Sequence, residues 1–375
     1  MSMGTFKLNV MRFLLLALLS TGVIIAAPIS DCYAQVINND RELGKQLFSD
    51  KNLSVDRTVS CASCHQADHA FADSRPVSIG VDGRHGTRNA PSLLEISEYT
   101  SFFWDGRAAT LEEQAQLTVL STVECGFSNP AQVVERVTQN ASYAHAFQRL
   151  YKVSPGNLTV TDITHAIVAY ERTLVASPNA LDRYLAGNRS AMPVAALRGL
   201  DVFRGKADCA GCHVISERVA PLTDNQFHSS GVGLNTITPT LAKLASETAR
   251  MTTAERFQKT ASDPRIAALG RYIVTLNPQD IGMFRTPSLR NVALTRPYMH
   301  DGSVATLAQA VDIELYYRGL ALGHPILLTS DEKQDLLTFL QSLSSVPQPA
   351  VATIQPGEGQ STIRVDTGAH ARRGP

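Results

Sequence analysis

The 375-residue chain has no excess of charge of either sign, because 34 Lys and Arg side chains balance 34 Asp and Glu side chains. That balance argues against nucleic acid or a charged membrane surface as a partner. Tryptophan occurs once, at Trp104, and cysteine six times. Beyond an apolar run at residues 13–27, no segment approaches the roughly 20 apolar residues that a membrane-spanning helix needs.

The N-terminus has the pattern of a secretory signal. Lys7 and Arg12 lie in a basic segment before the apolar run, and Cys32-Tyr33-Ala34 provides a small-x-small cleavage site. We therefore expect residues 1–34 to be a signal peptide that is cleaved near Ala34. The mature chain would keep an odd number of cysteines, five, which argues against a disulfide framework.

Four of these five cysteines lie in two copies of one motif. Cys61-Ala-Ser-Cys64-His65 and Cys209-Ala-Gly-Cys212-His213 both follow the Cys-x-x-Cys-His pattern that attaches c-type haem. The thiols bond to the porphyrin, and the histidine becomes an axial ligand of the iron. A redox cysteine pair or half a zinc site could explain one copy. Two copies behind an export signal predict two covalent haem c groups and redox chemistry in the periplasm.

The sequence around these motifs is repeated. Residues 90–111 recur 196 positions later as residues 286–307, and both segments contain Pro-Ser-Leu, then Asp-Gly, then Ala-Thr-Leu. This register sets Trp104 opposite His300. The haem motifs themselves are only 148 residues apart, so the second half holds 48 more residues, which we expect around residues 230–282.

Apolar residues at helical spacing predict a mostly helical chain with few strands. The clearest helices are predicted over 110–120 and 161–175, with Thr110 and Thr161 as caps, and over 330–343, with Ser330 and Glu332 as its start signal.

We expect an all-α architecture of two cytochrome c-like domains, each enclosing one covalent c-type haem. The predicted domains are residues 35–190 and 191–345, joined through a turn-rich stretch at 178–193. Residues 346–375 have the composition of a disordered tail.

These motifs resemble those of the bacterial dihaem cytochrome c peroxidases and of their relative MauG, which oxidises a partner protein. The resemblance covers residues 40–345. Besides the haem motifs, it rests on Phe103-Trp104-Asp105-Gly106-Arg107, on Arg285-Thr286-Pro287-Ser288-Leu289 and on Pro297-Tyr298-Met299-His300-Asp301-Gly302.

The resemblance implies a periplasmic enzyme that reduces hydrogen peroxide at the N-terminal haem. The second haem would relay electrons from a c-type cytochrome or another small redox protein. Two alternatives remain open: a MauG-like enzyme that uses peroxide to oxidise Trp or Tyr side chains of a partner protein, and a non-enzymatic dihaem electron carrier.

The resemblance also implies roles for single residues in the N-terminal half. Glu124 would move protons between the peroxide oxygens, Gln114 would orient the peroxide, and Trp104 would relay electrons between the haems. The position that holds a blocking histidine in many family peroxidases is Val81 here. Since valine cannot bind iron, and His85 lies four residues away, we expect an open iron position opposite His65.

The sequence allows two registers for the sixth ligand of the haem bound through His213. The register of the family's methionine ligand falls on Glu314, whereas a two-residue insertion would align a MauG-type tyrosine with Tyr316. Tyr316 is the preferred candidate, ahead of Tyr317, Met283 and Met299. An anionic oxygen ligand would favour the oxidised iron.

The resemblance further implies a calcium ion between the domains, held by Asn89, Thr295 and Pro297. Two residues depart from the family pattern. Thr118 replaces a proline, and Cys125 replaces an apolar neighbour of Glu124. Cys125 is expected to be a buried small side chain; if it faced the peroxide, it would be open to oxidation.

Overall fold

The structure is a computed structural model that describes residues 37–345. The predicted signal peptide at residues 1–34 and the predicted tail at 346–375 both lie outside the described residues.

The described chain is mostly helical, as the all-α prediction requires, and contains very little sheet. Its strands β1 (Phe227–Ser229) and β2 (Met283–Arg285) pair antiparallel, with His228 opposite Phe284. The helices are α1 (Asp40–Ser49), α2 (Cys61–Cys64), α3 (Leu111–Val119), α4 (Pro130–Thr138), α5 (Ala141–Leu150), α6 (Val160–Glu171), α7 (Ala180–Leu185), α8 (Val194–Arg204), α9 (Leu234–Ile237), α10 (Leu241–Arg250), α11 (Thr253–Ser262), α12 (Pro264–Ala267), α13 (Tyr272–Thr275), α14 (Leu307–Leu322) and α15 (Ser330–Ser342).

The three helices predicted most clearly all start at a threonine cap, though not always at the predicted residue. Thr110 caps α3, as expected, by accepting a hydrogen bond from the Glu113 amide. Helix α6 is capped by Thr159 instead of Thr161, and α15 by Thr329 instead of Ser330. In both cases the correct residue is the one with a carboxylate three positions later, which completes a capping box.

The stretch at 178–193, predicted as loop and turn, contains the short helix α7. Asn179 accepts a hydrogen bond from the Asp182 amide, and the Asp182 carboxylate accepts one from the Asn179 amide. This capping box lets a six-residue helix form in a segment whose proline and glycine content indicates a loop.

Apolar side chains gather in three clusters. The first is built from residues 37–176 and the second from residues 181–343. The third contains Ile237, Leu244, Ile266 and Leu269, on helices α9–α12 and the turn after them. It coincides with the expected extra segment of the second half, which therefore forms a small helical core of its own.

The first two clusters use the same helix crossing. Gly44 on α1 lies so close to α6 that a Cβ atom there would sit 1.9 Å from the Ala166 carbonyl oxygen. Gly199 on α8 meets α15 in the same way, with a Cβ position 2.0 Å from the Asp335 carbonyl oxygen. Only glycine permits such a close approach of two helices.

Backbone hydrogen bonds join the two halves close to the repeated segments. The Asn89 amide donates to the His300 carbonyl at 2.9 Å, and the Arg285 amide donates to the Trp104 carbonyl at 2.8 Å. The Arg271 guanidinium adds bonds to the carbonyl oxygens of Asp105 and Gly106. Within residues 37–345, no helix is long and apolar enough to cross a membrane.

Candidate active site

The N-terminal haem motif opens onto a cavity of about 160 Å³ that Cys61, Cys64 and His65 line together. The His65 Nδ1 atom donates to the Phe71 carbonyl oxygen at 3.0 Å, which fixes the orientation of the imidazole. The Phe48 ring lies with its centroid 6.5 Å from that of the imidazole. Burial lowers the pKa of His65, so the ring is in the neutral form that binds metals.

The second haem motif has the same arrangement around a cavity of about 270 Å³. The His213 Nδ1 atom donates to the Leu222 carbonyl oxygen at 2.9 Å, and Phe203 lies 6.5 Å from the imidazole by ring centroids. Burial again lowers the pKa of the histidine. Two thiols and an oriented imidazole on the wall of each cavity fit a covalently attached haem.

The first cavity brings the predicted peroxide-side residues together. Gln114 and Glu124 both line it, and the Gln114 Nε2 atom donates to the Thr118 hydroxyl at 3.1 Å. Burial raises the pKa of Glu124, although Arg107 and a hydrogen bond with Thr118 act in the opposite direction. A carboxyl group with a raised pKa is protonated more readily than an ordinary glutamate, which suits a group that both takes up and releases a proton.

Neither Val81, at the position of the family's blocking histidine, nor the nearby His85 lines this cavity. Val81 is 1% exposed and packs against Gly126, while its amide donates to the Glu124 carbonyl oxygen at 3.0 Å. His85 is on the surface. Within residues 37–345, His65 is the only histidine that lines the first cavity.

Asp105 of the repeated Asp-Gly pair anchors this wall. Its carboxylate is fully buried and pairs with Arg88 at 2.5 Å and with Arg107 at 2.9 Å. Burial alone would raise the pKa of Asp105, but the two guanidinium groups bring it below its ordinary value. The pair holds Arg107 on the cavity wall, with its guanidinium 3.5 Å from the centroid of the Phe103 ring.

Four residues line both cavities and so lie between the two haem motifs: Asn89, Pro91, Trp104 and Arg285. Trp104 donates through its Nε1 atom to the Asn89 carbonyl oxygen at 2.8 Å. Arg285 is the charged residue among the four. It is buried over the Tyr99 ring, and its Nε and Nη1 atoms have no partner among the described residues. A buried cation with free N–H groups suits an anionic group such as a haem propionate.

The second cavity does not include the predicted tyrosine ligand. Tyr316 is 62% exposed and packs against Tyr317, with ring centroids 5.1 Å apart, and neither ring lines the cavity. Glu314 does line it, as does Met299, whereas Met283 does not. Two residues along an α-helix correspond to a rotation of about 200°, so Glu314 and Tyr316 point to nearly opposite sides of α14.

The three predicted calcium residues are close to one another. Asn89, Thr295 and Pro297 all line the second cavity. The Asn89 Nδ2 atom donates to the carbonyl oxygen of Arg75 at 2.9 Å, so its Oδ1 atom is left as a possible ligand. The only cluster of three acidic, His or Cys ligand atoms in the described chain consists of other residues, Cys212, Asp224 and His228, of which Cys212 and His228 line the same cavity.

Comparison with known proteins follows this geometry. Residues 38–190 match the family model described as di-haem cytochrome c peroxidase. The chain is 35% identical to cytochrome-c peroxidase IdrP1 of Pseudomonas sp. (strain SCT), with 80% of each chain covered. It is 30% identical to cytochrome c551 peroxidase of Nitrosomonas europaea, with 96% of this chain and 97% of the relative covered.

The chain belongs to the di-haem cytochrome c peroxidase family. It is also 31% identical to the methylamine utilization protein MauG of Methylophilus methylotrophus, with 80% of this chain and 81% of the relative covered. Among solved structures, a MauG-like protein associated with microbial copper homeostasis is 30% identical, with a TM-score of 0.66. That match covers 85% of this chain and 92% of the other.

Membership of the peroxidase family confirms two predictions at a coarse level. The protein is an oxidoreductase of the cytochrome-c peroxidase class that acts on peroxide, and its cofactors are haems. A purely electron-carrying role is therefore set aside.

The sequence did not predict one buried acid that lines the first cavity, Glu171. Glu171 ends α6, is 4% exposed, and has one carboxylate oxygen without a partner among the described residues. Burial raises its pKa to about 7. No motif marks a lone glutamate at a helix end, so only the packing of α6 reveals it.

Cys125 lines the same cavity as Glu171 and is buried, as expected. Burial raises the pKa of its thiol, which therefore stays protonated. A protonated thiol is a poor nucleophile, so the structure agrees with a packing role for this side chain.

Proposed function

We propose that the protein reduces hydrogen peroxide at the His65 cavity with electrons from a c-type cytochrome or another small redox protein. One observation carries this proposal: a protonatable carboxyl and an amide line the His65 cavity, and no second histidine does so within residues 37–345. One face of a haem there would remain accessible to peroxide. Haem bound at His65 supplies the redox chemistry that breaks the O–O bond.

Glu124 is the proposed proton carrier. Its carboxylate takes the proton from one peroxide oxygen and returns it to the other, which leaves as water. Two further protons and two electrons then convert the remaining oxygen atom to the second water, so one peroxide gives two waters. The amide of Gln114, held by Thr118, keeps the peroxide oriented toward Glu124.

Trp104 is the proposed link between the two haems. Its indole borders both cavities, and its hydrogen bond to Asn89 holds the ring in one orientation. Electrons would enter at the haem attached through Cys209, Cys212 and His213 and reach the first cavity past this side chain.

A second candidate function is the oxidation of Trp or Tyr side chains on a partner protein. It is favoured by the lack of a blocking histidine at Val81 and by the similarity to proteins named MauG. In that case a partner protein, and not a cytochrome, would supply the two electrons through the same residues.

The proposal includes the cellular setting and one further ion. Export through the signal at residues 1–34, with cleavage near Ala34, would put the protein in the periplasm, where covalent haem is attached. A calcium ion held by Asn89, Thr295 and Pro297 would support the wall of the second cavity, between the two halves.

Replacing Glu124 with Gln tests the proton-transfer role. We expect peroxide cleavage by the variant, followed by stopped-flow absorbance of the haem, to slow by about 10²–10⁴-fold. The matched control is Glu113→Gln, because Glu113 is an exposed carboxylate on α3 that does not line the cavity. An unchanged rate in Glu124→Gln would remove this role from the residue.

A further inference from the structure

We infer that the carboxylate of Glu314 is the iron ligand opposite His213 in the C-terminal haem site. This role was predicted for Tyr316, which the structure leaves on the surface of α14. The inference rests on haem attachment at Cys209 and Cys212 and is independent of the peroxide chemistry proposed for the first cavity.

The internal repeat supports this placement. The register of 196 residues pairs α3 with α14, and each helix presents matching positions to its cavity. Leu111, Ala115 and Thr118 line the first cavity, and their counterparts Leu307, Val311 and Glu314 line the second. Thr118 contacts the peroxide-side pair Gln114 and Glu124. Its counterpart Glu314 therefore belongs to the wall that faces the iron.

The same register argues against Tyr316. Its counterpart is Leu120, the residue that follows α3, which does not line the first cavity. Helix α14 runs without interruption from Leu307 to Leu322. A bulge that could rotate Tyr316 into the position of Glu314 is therefore absent from this helix.

Most other side chains on the second cavity that could bind iron are already held by a hydrogen bond or an ion pair. His228 Nε2 is bonded to Asp224 at 2.8 Å, Asp208 is paired with Arg318, and the Tyr99 hydroxyl accepts from the Ser288 amide at 2.8 Å. Glu314 makes no hydrogen bond or ion pair with any described residue. Glu314 is exposed to the open cavity. A haem bound there would cover the carboxylate, which would then need a cation or a hydrogen-bond donor.

Residues 298–300 contain the other groups on the second cavity that could bind iron. Tyr298, Met299 and His300 line the cavity, but their counterparts are Phe102, Phe103 and Trp104, which cannot bind iron. The His300 ring is stacked on Phe284, with centroids 3.6 Å apart. By the repeat, this segment forms the wall shared with the first half and not the wall that faces the iron.

Carboxylate ligation would give the second haem a distinct redox character. An anionic oxygen donor stabilises ferric iron, whereas a thioether donor stabilises ferrous iron and raises the reduction potential. A His/Glu haem would therefore accept electrons only from a donor of low potential.

Electron paramagnetic resonance of the ferric holoprotein, with a redox titration of the C-terminal haem, tests the inference. We expect Glu314→Gln to change the ferric signal of that haem and to raise its reduction potential. Glu314→Met should raise the potential further and create the far-red sulfur-to-iron absorption of a His/Met haem. Asp312→Asn, an exposed carboxylate on the same helix, is the control and should change neither.

Parallel variants separate the competing ligands. Tyr316→Phe should leave the spectrum of the C-terminal haem as it is. Tyr298→Phe and Met299→Leu alter the cavity wall and should keep the ligand-specific ferric signal of that haem. An unchanged spectrum and potential in Glu314→Gln, or loss of that ferric signal in one of these three variants, would overturn the assignment. Loss of peroxide turnover alone would not, because the readout is the haem spectrum.

Discussion

In both halves of the molecule, a helix crossing closed by glycine places a phenylalanine against the histidine of the haem motif. Phe48 and Phe203 lie at the same 6.5 Å from His65 and His213. Each histidine also donates through Nδ1 to a backbone carbonyl within nine residues of it. The walls that hold the histidines are therefore nearly identical.

The opposite walls differ in chemistry. Gln114 of the first cavity corresponds to Ala310 of the second. Helices α6 and α15 are equivalent in the two crossings, because Ala166 meets Gly44 as Asp335 meets Gly199. Counting from these residues pairs Glu171 with Leu340. Helices α14 and α15 contribute mainly apolar side chains to the second cavity, with Glu314 and Arg318 as their polar ones. Under the proposed function, the same scaffold would support proton-coupled chemistry on one side and electron transfer on the other.

The largest difference in stability between the halves is expected when the aspartates of the two Asp-Gly pairs, Asp105 and Asp301, are replaced. Asp105→Asn removes a fully buried charge from Arg88 and Arg107 and should lower the free energy of unfolding by about 3–5 kcal/mol. Asp301 is partly exposed and only accepts from the Ser303 amide, so Asp301→Asn should cost about 0.5 kcal/mol or less. Urea unfolding of both variants measures this difference, and equal losses would contradict it.

Unfolding by acid should also show how much Asp105 contributes to stability. Because its pKa is lowered in the folded protein, its contribution to stability is present above the ordinary pKa of 3.8. That contribution is lost as the pH falls through the lower folded value. The acid unfolding of Asp105→Asn should therefore lack this component.

If the two helix crossings are equivalent, replacing their glycines with alanine should lower the free energy of unfolding by similar amounts. Gly44→Ala and Gly199→Ala each force a methyl group against a backbone carbonyl and should cost about 3 kcal/mol. Gly156→Ala is the control, because a Cβ there meets nothing within 4 Å. Thermal unfolding would show the effect, and a large loss in only one crossing would mean that the crossings are not equivalent.

Glu171 should give the first half a pH dependence that Leu340 cannot give the second. Its folded pKa of about 7 exceeds the ordinary value of 4.5, so the unfolded chain releases this proton first as the pH rises. The stability that neutral Glu171 contributes is complete below pH 4.5 and is lost as the pH rises through about 7, by up to about 3 kcal/mol.

Glu171→Gln isolates that contribution, because glutamine has nearly the same shape and does not titrate. We expect its free energy of unfolding to change less between pH 4.5 and 7 than that of the unaltered protein. Denaturant unfolding across this range is the measurement. Parallel pH profiles of the two proteins would show that the carboxyl group is not the cause.

The haem motifs, the repeat and the helical character could be predicted from the sequence because each depends on local spacing. Two cysteines and a histidine within five residues must share one turn, whatever the rest of the chain does. The register of 196 residues likewise placed Trp104 opposite His300 without any coordinates.

The tertiary structure decided which side chains face the cavities. Sequence alignment allowed either Glu314 or Tyr316 to reach the second cavity, and only the rotation of α14 against its neighbours separates them. Glu171 gave no signal at all, because its raised pKa comes from burial by residues distant in the sequence. Local patterns determine which residues can hold a cofactor, whereas long-range packing determines which side chains face it.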